Sequence, residues 1–196
     1  MPENKIFYGL SGVHIAPITA MTNGVPTYGA VFAFPGAVSW GQNAEGENST
    51  FRADNIDYYV QAGNDGYTGD LVVARVIDEF AQKIYGQLTG ADGELIEVVQ
   101  GEVVAFGMVL QIEGDQNATR HVYPYCTAGR PSADHSTTEE GSVTPGTETI
   151  PVTCKPIAVN GIEKKVVKYR IPQGASNYET ILTNFSLPTL PTLPSA

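Results

Sequence analysis

The residue types that most often bind metal ions or act as nucleophiles are few and widely spaced in this sequence. The histidines are His14, His121 and His135, and the cysteines are Cys126 and Cys154. No pair of histidines stands at metal-ligand spacing, and the sequence contains no Cys-x-x-Cys motif. Because both cysteines fall in strand-like segments, we expect two buried thiols, with a single bridge as the alternative. The sequence predicts neither a metal nor another cofactor.

Two sets of polar residues could be imagined as catalytic groups. The first is Asp134-His135, and the second consists of acid pairs, Glu45 with Glu47 and Glu139-Glu140. A catalytic base needs a rigid, partly buried setting, whereas residues 129–148 are rich in Ser, Thr, Gly and Pro and predict a long flexible loop. Paired acids in glycoside hydrolysis must converge in a cleft, which neither acid pair is placed to do. Solvated charge explains both sets better, so we expect no enzymatic activity.

The overall charge excludes one broad class of function. The chain has 196 residues, a formal net charge of -10 and a sequence pI near 4.6. A protein that grips nucleic acid by neutralising phosphates needs a basic face, so this class is excluded. The N-terminus lacks the pattern of a signal peptide, and no apolar run approaches the roughly 18 to 20 residues of a membrane-spanning helix. These features predict an intracellular protein that makes no membrane contact.

Period-two alternation of apolar residues predicts about eight to ten strands, and the turn signals between them favour sequential, mostly antiparallel hairpins. In the first strand the apolar phase flips after Ser11-Gly12, which indicates a β-bulge. Val38 and Trp40 lie on one predicted strand face. Residues 36–54 are predicted to form a long hairpin with a polar tip at 41–48. Asn160-Gly161 predicts a tight hairpin further along the chain.

Two segments switch to a helical period. The apolar residues of 77–85 fit one helix face, and Gly86 supplies a stop signal. Ser176-Asn177-Tyr178-Glu179 has the pattern of a capping box and predicts the start of a short C-terminal helix. Proline at every third position of 187–196 predicts an extended tail. The chain is therefore divided into a single domain, 1–186, and a Pro-rich tail, 187–196.

Basic residues are concentrated near the C-terminal end of the domain. Lys155, Lys164, Lys165, Lys168 and Arg170 cluster within one predicted hairpin. This basic strand face could meet an acidic face on a neighbouring subunit. A solvated edge strand that its lysines protect from aggregation is an equally good alternative.

Several short sequence stretches are informative when their order and spacing along the chain are considered together. They are GLSGVHIAP (9–17), PGAV (35–38), ADNIDYY (53–59), NDGYTG (64–69), the apolar helix 77–85, ATRHV (118–122) and CTAGRP (126–131). Together they resemble the major tail protein family of long-tailed bacteriophages, the phi13-type tail tube proteins, over almost the whole chain. The triple Leu-Pro-Thr/Ser repeat of residues 187–195 departs from the family pattern.

The resemblance implies a mainly β fold of two packed antiparallel sheets with a flanking helix and a long hairpin. It also implies hexameric rings, stacked through loops and the long hairpin into a tail tube that carries DNA during ejection. The implied partners are other copies of the chain, the tape measure protein, and tail terminator and tail tip proteins. DNA would pass through the lumen without specific binding, and the protein would assemble in the host cytoplasm and end in the virion. The tube of a contractile injection machine is a related alternative.

Candidate contacts between subunits come from the predicted long hairpin, the aromatic segment after it and the basic hairpin. They are Trp40, Glu45, Glu47, Asp54, Tyr58, Tyr59, Lys164, Lys165, Lys168 and Arg170. A competing interpretation is a β-sandwich adhesion module in which exposed Trp40, Tyr58 and Tyr59 hold a carbohydrate or a protein partner.

Overall fold

The computed structural model describes residues 8–46, 49–61, 63–99, 101–115, 117–133, 135, 137 and 145–190. Within these residues the chain is mainly β, as predicted, with one short α-helix and one 3-10 turn. In chain order the strands are β1 (Leu10–Thr22), β2 (Val25–Tyr28), β3 (Phe32–Ala33), β4 (Ala37–Glu45), β5 (Ser49–Ala53), β6 (Ile56–Gln61), β7 (Gly66–Val73), β8 (Leu88–Thr89), β9 (Leu95–Ile96), β10 (Phe106–Ile112), β11 (Arg120–Ala128), β12 (Ser132–Ala133), β13 (Glu148–Cys154), β14 (Ile157–Val159), β15 (Ile162–Val166) and β16 (Tyr169–Ile171). Helix α1 (Asp78–Lys83) follows β7, and the 3-10 turn (Thr180–Leu182) follows β16.

Ten strands form one antiparallel sheet in the order β2-β1-β10-β11-β13-β7-β4, with β3, β12 and β16 added at β1, β13 and β11. The sheet curls around the larger of two apolar clusters, and β4 at one end comes to lie beside β1. The two layers of the fold are therefore opposite parts of one curled sheet. Three two-stranded sheets, β5-β6, β8-β9 and β14-β15, lie outside this path.

Helix α1 completes the interior of the curled sheet. Its Phe80 is fully buried and meets the rings of Phe34, Tyr85 and Phe106 nearly edge-on, at centroid distances of 5.0, 5.3 and 5.7 Å. Edge-to-face pairs at this spacing contribute roughly 0.5 to 1.5 kcal/mol each beyond the burial of their surface. The helix predicted over 77–85 is thus present, and it packs as its apolar period required.

A second apolar cluster covers the outer face of β10 and β11. The C-terminal segment supplies Tyr178, Ile181 and Phe185 to this cluster. A Cβ on Gly107 of β10 would come within 2.5 Å of the Phe185 ring, so only glycine allows this approach. The predicted capping box is wrong, because the segment forms one 3-10 turn without a side-chain cap. Packing against the sheet overrides the local helix signal here.

Three local predictions from turn and strand chemistry are confirmed. The register of β1 on β10 shifts between Ser11 and His14, and Gly12 has a φ of +58° that suits the bulge. Gly161 has a φ of +81° in the tight turn between β14 and β15. Cys126 and Cys154 are both buried and unbridged.

The two thiols face each other across β11 and β13. Their residues are direct partners in the strand register, and their Sγ atoms are 3.4 Å apart. Burial raises the pKa of the Cys126 thiol, with the hydrogen bond to Cys154 as a second cause. Because the thiolate is the reactive form, burial holds the Cys126 thiol in an unreactive state.

The predicted hairpin over 36–54 is wrong in its pairing and in its tip. Strand β4 pairs with β7 rather than with β5, and most of the predicted tip, 41–45, belongs to β4. Strand β5 pairs instead with β6. The connection between β4 and β7 is therefore long and contains the β5-β6 hairpin. Alternation specified the strands but not their partners, since pairing depends on neighbours distant in sequence.

Some predictions fall partly outside the described residues. Of the predicted loop 129–148, residues 134, 136 and 138–144 lie outside them, whereas β12 is an added strand within it. Residues 191–196 of the predicted tail and the candidate contact Glu47 also lie outside. The division into a domain, 1–186, and a tail stays a prediction.

Candidate subunit interface

The β5-β6 hairpin owes its shape to two residues at its tip. Ala53 and Ile56 are partners in the strand register, which leaves Asp54 and Asn55 as a two-residue loop. Both loop residues have positive φ, 53° and 63°. This is the pattern of a type I′ turn, and Asp and Asn tolerate left-handed backbone better than most residues do. The Asp54-Asn55 pair is therefore the signal that would have located the hairpin tip in the sequence.

The β5-β6 hairpin exposes large apolar side chains on both of its faces. Ile56 and Tyr58 share one face of β6 and are 61% and 72% exposed. Tyr59 points to the other face and is 57% exposed. The two strands pair only with each other in the part of the chain that the structure describes. A two-stranded hairpin is marginally stable in water on its own, so these faces favour burial against a partner.

The base of the hairpin is fixed to the curled sheet through Glu45. The backbone carbonyl of Glu45 accepts a hydrogen bond from the Asp65 N–H at 2.8 Å. Its carboxylate lies 3.3 Å from Lys155 Nζ, in a pair with both side chains at least one-third exposed. Exposed ion pairs of this kind contribute little to stability. Glu45 therefore lies where the hairpin leaves the sheet rather than at a hairpin tip.

Trp40 faces the core instead of the solvent. Its indole Nε1–H donates to the Tyr123 hydroxyl at 3.2 Å, and the two rings meet at 5.8 Å between centroids. The expectation that Trp40 shares an exposed surface with Tyr58 and Tyr59 is wrong. A register shift between Ala37 and Ser39 makes Val38 the extra residue of a bulge, so Val38 is exposed and Trp40 turns inward.

The four candidate basic residues do not share one continuous strand face. Lys164 and Lys165 are exposed on β15, whereas Arg170 lies on β16 opposite His121. Between the two strands, Lys168 Nζ lies 5.1 Å from the ring centroid of Tyr123 and 5.9 Å from that of Tyr67. Burial lowers the pKa of Lys168, and the positive charge of Arg170 lowers it further. The chain bends at Val167, so β15 and β16 do not continue as one strand.

The described residues contain no group of three or more His, Cys, Asp or Glu side chains placed to hold a metal ion. His14 lies in β1, and its Nδ1 is 2.9 Å from the Gly12 carbonyl oxygen. His121 lies in β11, on a different strand of the sheet. His14 and His121 thus lie on separate strands of the sheet.

Among the described helices, none combines the length and the apolar character required to span a bilayer.

Comparison with solved structures finds four matching chains. No protein-family model and no curated protein matches the chain. A chain of the anti-feeding prophage baseplate, solved by cryo-electron microscopy with 6-fold symmetrisation, is similar over 87% of this chain and 97% of its own length. The identity is 9% and the TM-score is 0.44, so we infer neither fold nor function from this likeness.

Proposed function

We propose that this chain is a structural subunit that assembles with copies of itself. The observation that supports this proposal best is the β5-β6 hairpin, which holds Ile56, Tyr58 and Tyr59 in exposed positions on β6. Exposed aromatic side chains that a partner can bury are typical anchors of protein interfaces. The hairpin would become buried when a neighbouring copy covers it, and no catalytic step is part of this proposal.

In its finer form the proposal is a phage tail tube of stacked hexameric rings that conducts DNA during ejection. The sequence resemblance to phi13-type tail tube proteins is its main support. The end strands β2 and β4 are each hydrogen-bonded to a strand on one side only among the described residues, and head-to-tail pairing of such edges between copies closes into rings. Only 16% of residues are charged, against roughly 25% in average proteins, which suits extensive burial between copies.

The proposed partners follow from the same role. They are other copies of the chain, the tape measure protein, and the tail terminator and tail tip proteins, with assembly in the host cytoplasm and a final place in the virion. DNA passes through the lumen without specific binding. A net charge of -10 supports a repulsive wall that keeps phosphates from adhering. A charge map of the assembled lumen with a net positive wall would contradict this part of the proposal.

Electron microscopy and sedimentation of the purified chain test self-assembly. At high concentration we expect sixfold rings or hollow tubes. The double substitution Tyr58→Ser/Tyr59→Ser should raise the concentration needed for assembly by at least about tenfold, since central aromatic anchors carry much of the binding energy. Met21→Ser is the matched control, because Met21 is 47% exposed and lies away from this hairpin, on β1.

A strictly monomeric wild-type chain at every concentration would overturn the proposal. Normal assembly of the double variant would remove the β5-β6 hairpin from the interface. Circular dichroism of each variant confirms that the fold is retained.

A further inference from the structure

A second small hairpin presents an apolar surface with an acidic border. Strands β8 and β9 and the residues after them, here called the ridge (88–99), expose Leu88 at 57%, Ile96 at 47% and Val99 at 100%. The charged residues of the ridge are all acidic, namely Asp92, Glu94 and Glu97. Gln82 on α1 donates to Thr89 at 2.9 Å, and Glu97 pairs with Arg130 at 2.9 Å, so the ridge is held to the body of the protein.

A concave surface with the opposite charge lies at the basic hairpin. This groove has a volume of about 650 Å³. Its lining consists of Asn64, Asp65, Tyr67, Pro156, Lys165, Val166, Val167 and Lys168. Apolar groups thus lie beside two lysines and one acid, and Lys164 and Lys155 adjoin them in sequence. The groove is therefore apolar and basic where the ridge is apolar and acidic.

The ridge and the groove lie toward opposite ends of the same strands. The groove includes Tyr67, at the start of β7 and opposite Cys154 on β13. The ridge is tied to Arg130, which is followed by β12, and β12 pairs with the start of β13 at Thr149. Thr149 in turn pairs with Val72 at the far end of β7. A ridge at one end and a groove at the other cannot meet within one chain, but they can meet between successive copies.

We propose that the ridge of one copy docks in the groove of the next, in a head-to-tail contact. The proposal rests on self-assembly as proposed above and identifies one of its contacts. Opposite charges on the two borders fix the direction of the contact, and the apolar groups between them are removed from water. Because the two surfaces differ, the contact is heterologous, which is the type that generates rings or filaments.

Charge reversal at one residue on each surface tests the contact. Asp92 lies in the exposed turn of the ridge and Lys165 is exposed at the groove, so neither substitution should disturb the fold. Asp92→Lys alone and Lys165→Glu alone should each raise the concentration for half-maximal assembly at least about tenfold, since each places like charges together. The double variant Asp92→Lys/Lys165→Glu should recover assembly. The loss in the single variants should shrink as salt is added, because salt screens both attraction and repulsion.

Glu113→Lys is the matched control, because Glu113 is exposed, follows β10 and belongs neither to the ridge nor to the lining of the groove. This variant changes the net charge as Asp92→Lys does and should assemble like the wild type. Normal assembly of both single variants would overturn the ridge-groove contact while leaving the proposed function intact. Failure of the double variant to recover would overturn the pairing as well. A wild-type chain that never assembles would overturn both proposals together.

Discussion

Tyr85 and Tyr123 lie inside the curled sheet with 1% of their surface exposed, whereas Tyr58 and Tyr59 on β6 are 72% and 57% exposed. The interior hydroxyls have partners in the fold. Tyr85 donates to the Gly129 carbonyl at 2.7 Å, and Tyr123 donates to the Gln42 side chain. Burial raises the pKa of both phenols. The contrast teaches that one residue type stabilises the monomer in the interior and is available for a partner on the hairpin.

The largest change in stability is expected from a comparison of one aromatic residue in the interior with one on the β5-β6 hairpin. Phe80→Ala should lower the free energy of unfolding by about 3–5 kcal/mol, because Phe80 is fully buried against three other rings. Tyr58→Ala should change monomer stability by less than about 0.5 kcal/mol, because Tyr58 is mostly exposed. Urea unfolding at a concentration below assembly measures both values. Similar losses in the two variants would contradict the division between interior and interface.

The second prediction tests whether buried contacts stabilise the C-terminal segment, as they stabilise the interior of the sheet. Arg120 is 7% exposed, donates to the Tyr178 carbonyl and to Gln111, and lies 3.7 Å from the Tyr178 ring centroid. Arg120→Ala should cost about 2–3 kcal/mol, since it removes charge-assisted hydrogen bonds and a cation–π contact. Urea unfolding gives the loss, and limited proteolysis should show faster cleavage near residue 180.

Glu179→Ala is the control for Arg120→Ala. Glu179 approaches Arg120 at 3.5 Å, but its side chain is 79% exposed, so we expect almost no loss of stability. Equal losses in the two variants would show that the ion pair, rather than the buried contacts of Arg120, holds the segment.

A smaller loss of stability is expected when only the hydroxyl group of a tyrosine is removed. Tyr85→Phe should cost about 0.5–1.5 kcal/mol, because it removes the 2.7 Å hydrogen bond to the Gly129 carbonyl in a partly buried site. Tyr59→Phe in the exposed hairpin should leave monomer stability unchanged within about 0.5 kcal/mol. Thermal and urea unfolding of the two variants give the comparison. A neutral Tyr85→Phe would indicate that water replaces the lost donor.

The smallest effect is a pH dependence that belongs to the sheet and not to the hairpin. Burial, together with the positive charges of Lys168 and Arg170, lowers the pKa of His121 from 6.5 to about 4, and the Asp115 carboxylate opposes this shift. Protonation therefore favours the unfolded chain. The contribution of neutral His121 to the free energy of unfolding should be fully present above pH 6.5. It should be lost as the pH falls toward 4. His121→Gln should flatten this decline in urea titrations, and an unchanged slope would assign it to other groups.

Local signals in the sequence were sufficient for elements whose cause is local. Alternation predicted the mainly β class, the phase flip at Ser11-Gly12 predicted the bulge, and the apolar period of 77–85 predicted α1. Asn160-Gly161 located a tight turn, and the setting of Cys126 and Cys154 predicted buried thiols. Each of these depends on steric and hydrophobic preferences that operate over a few residues.

Partner choice and side-chain direction were decided by the tertiary structure. The partner of β4 is β7, more than twenty positions away, and the bulge at Val38 turns Trp40 inward. The C-terminal segment had a helical pattern but was held as a single 3-10 turn by packing on β10 and β11. The sequence by itself determined which segments are strands, because alternation is local. Only the folded chain decided which edges pair and which faces stay exposed, because those choices depend on burial summed over residues distant in sequence.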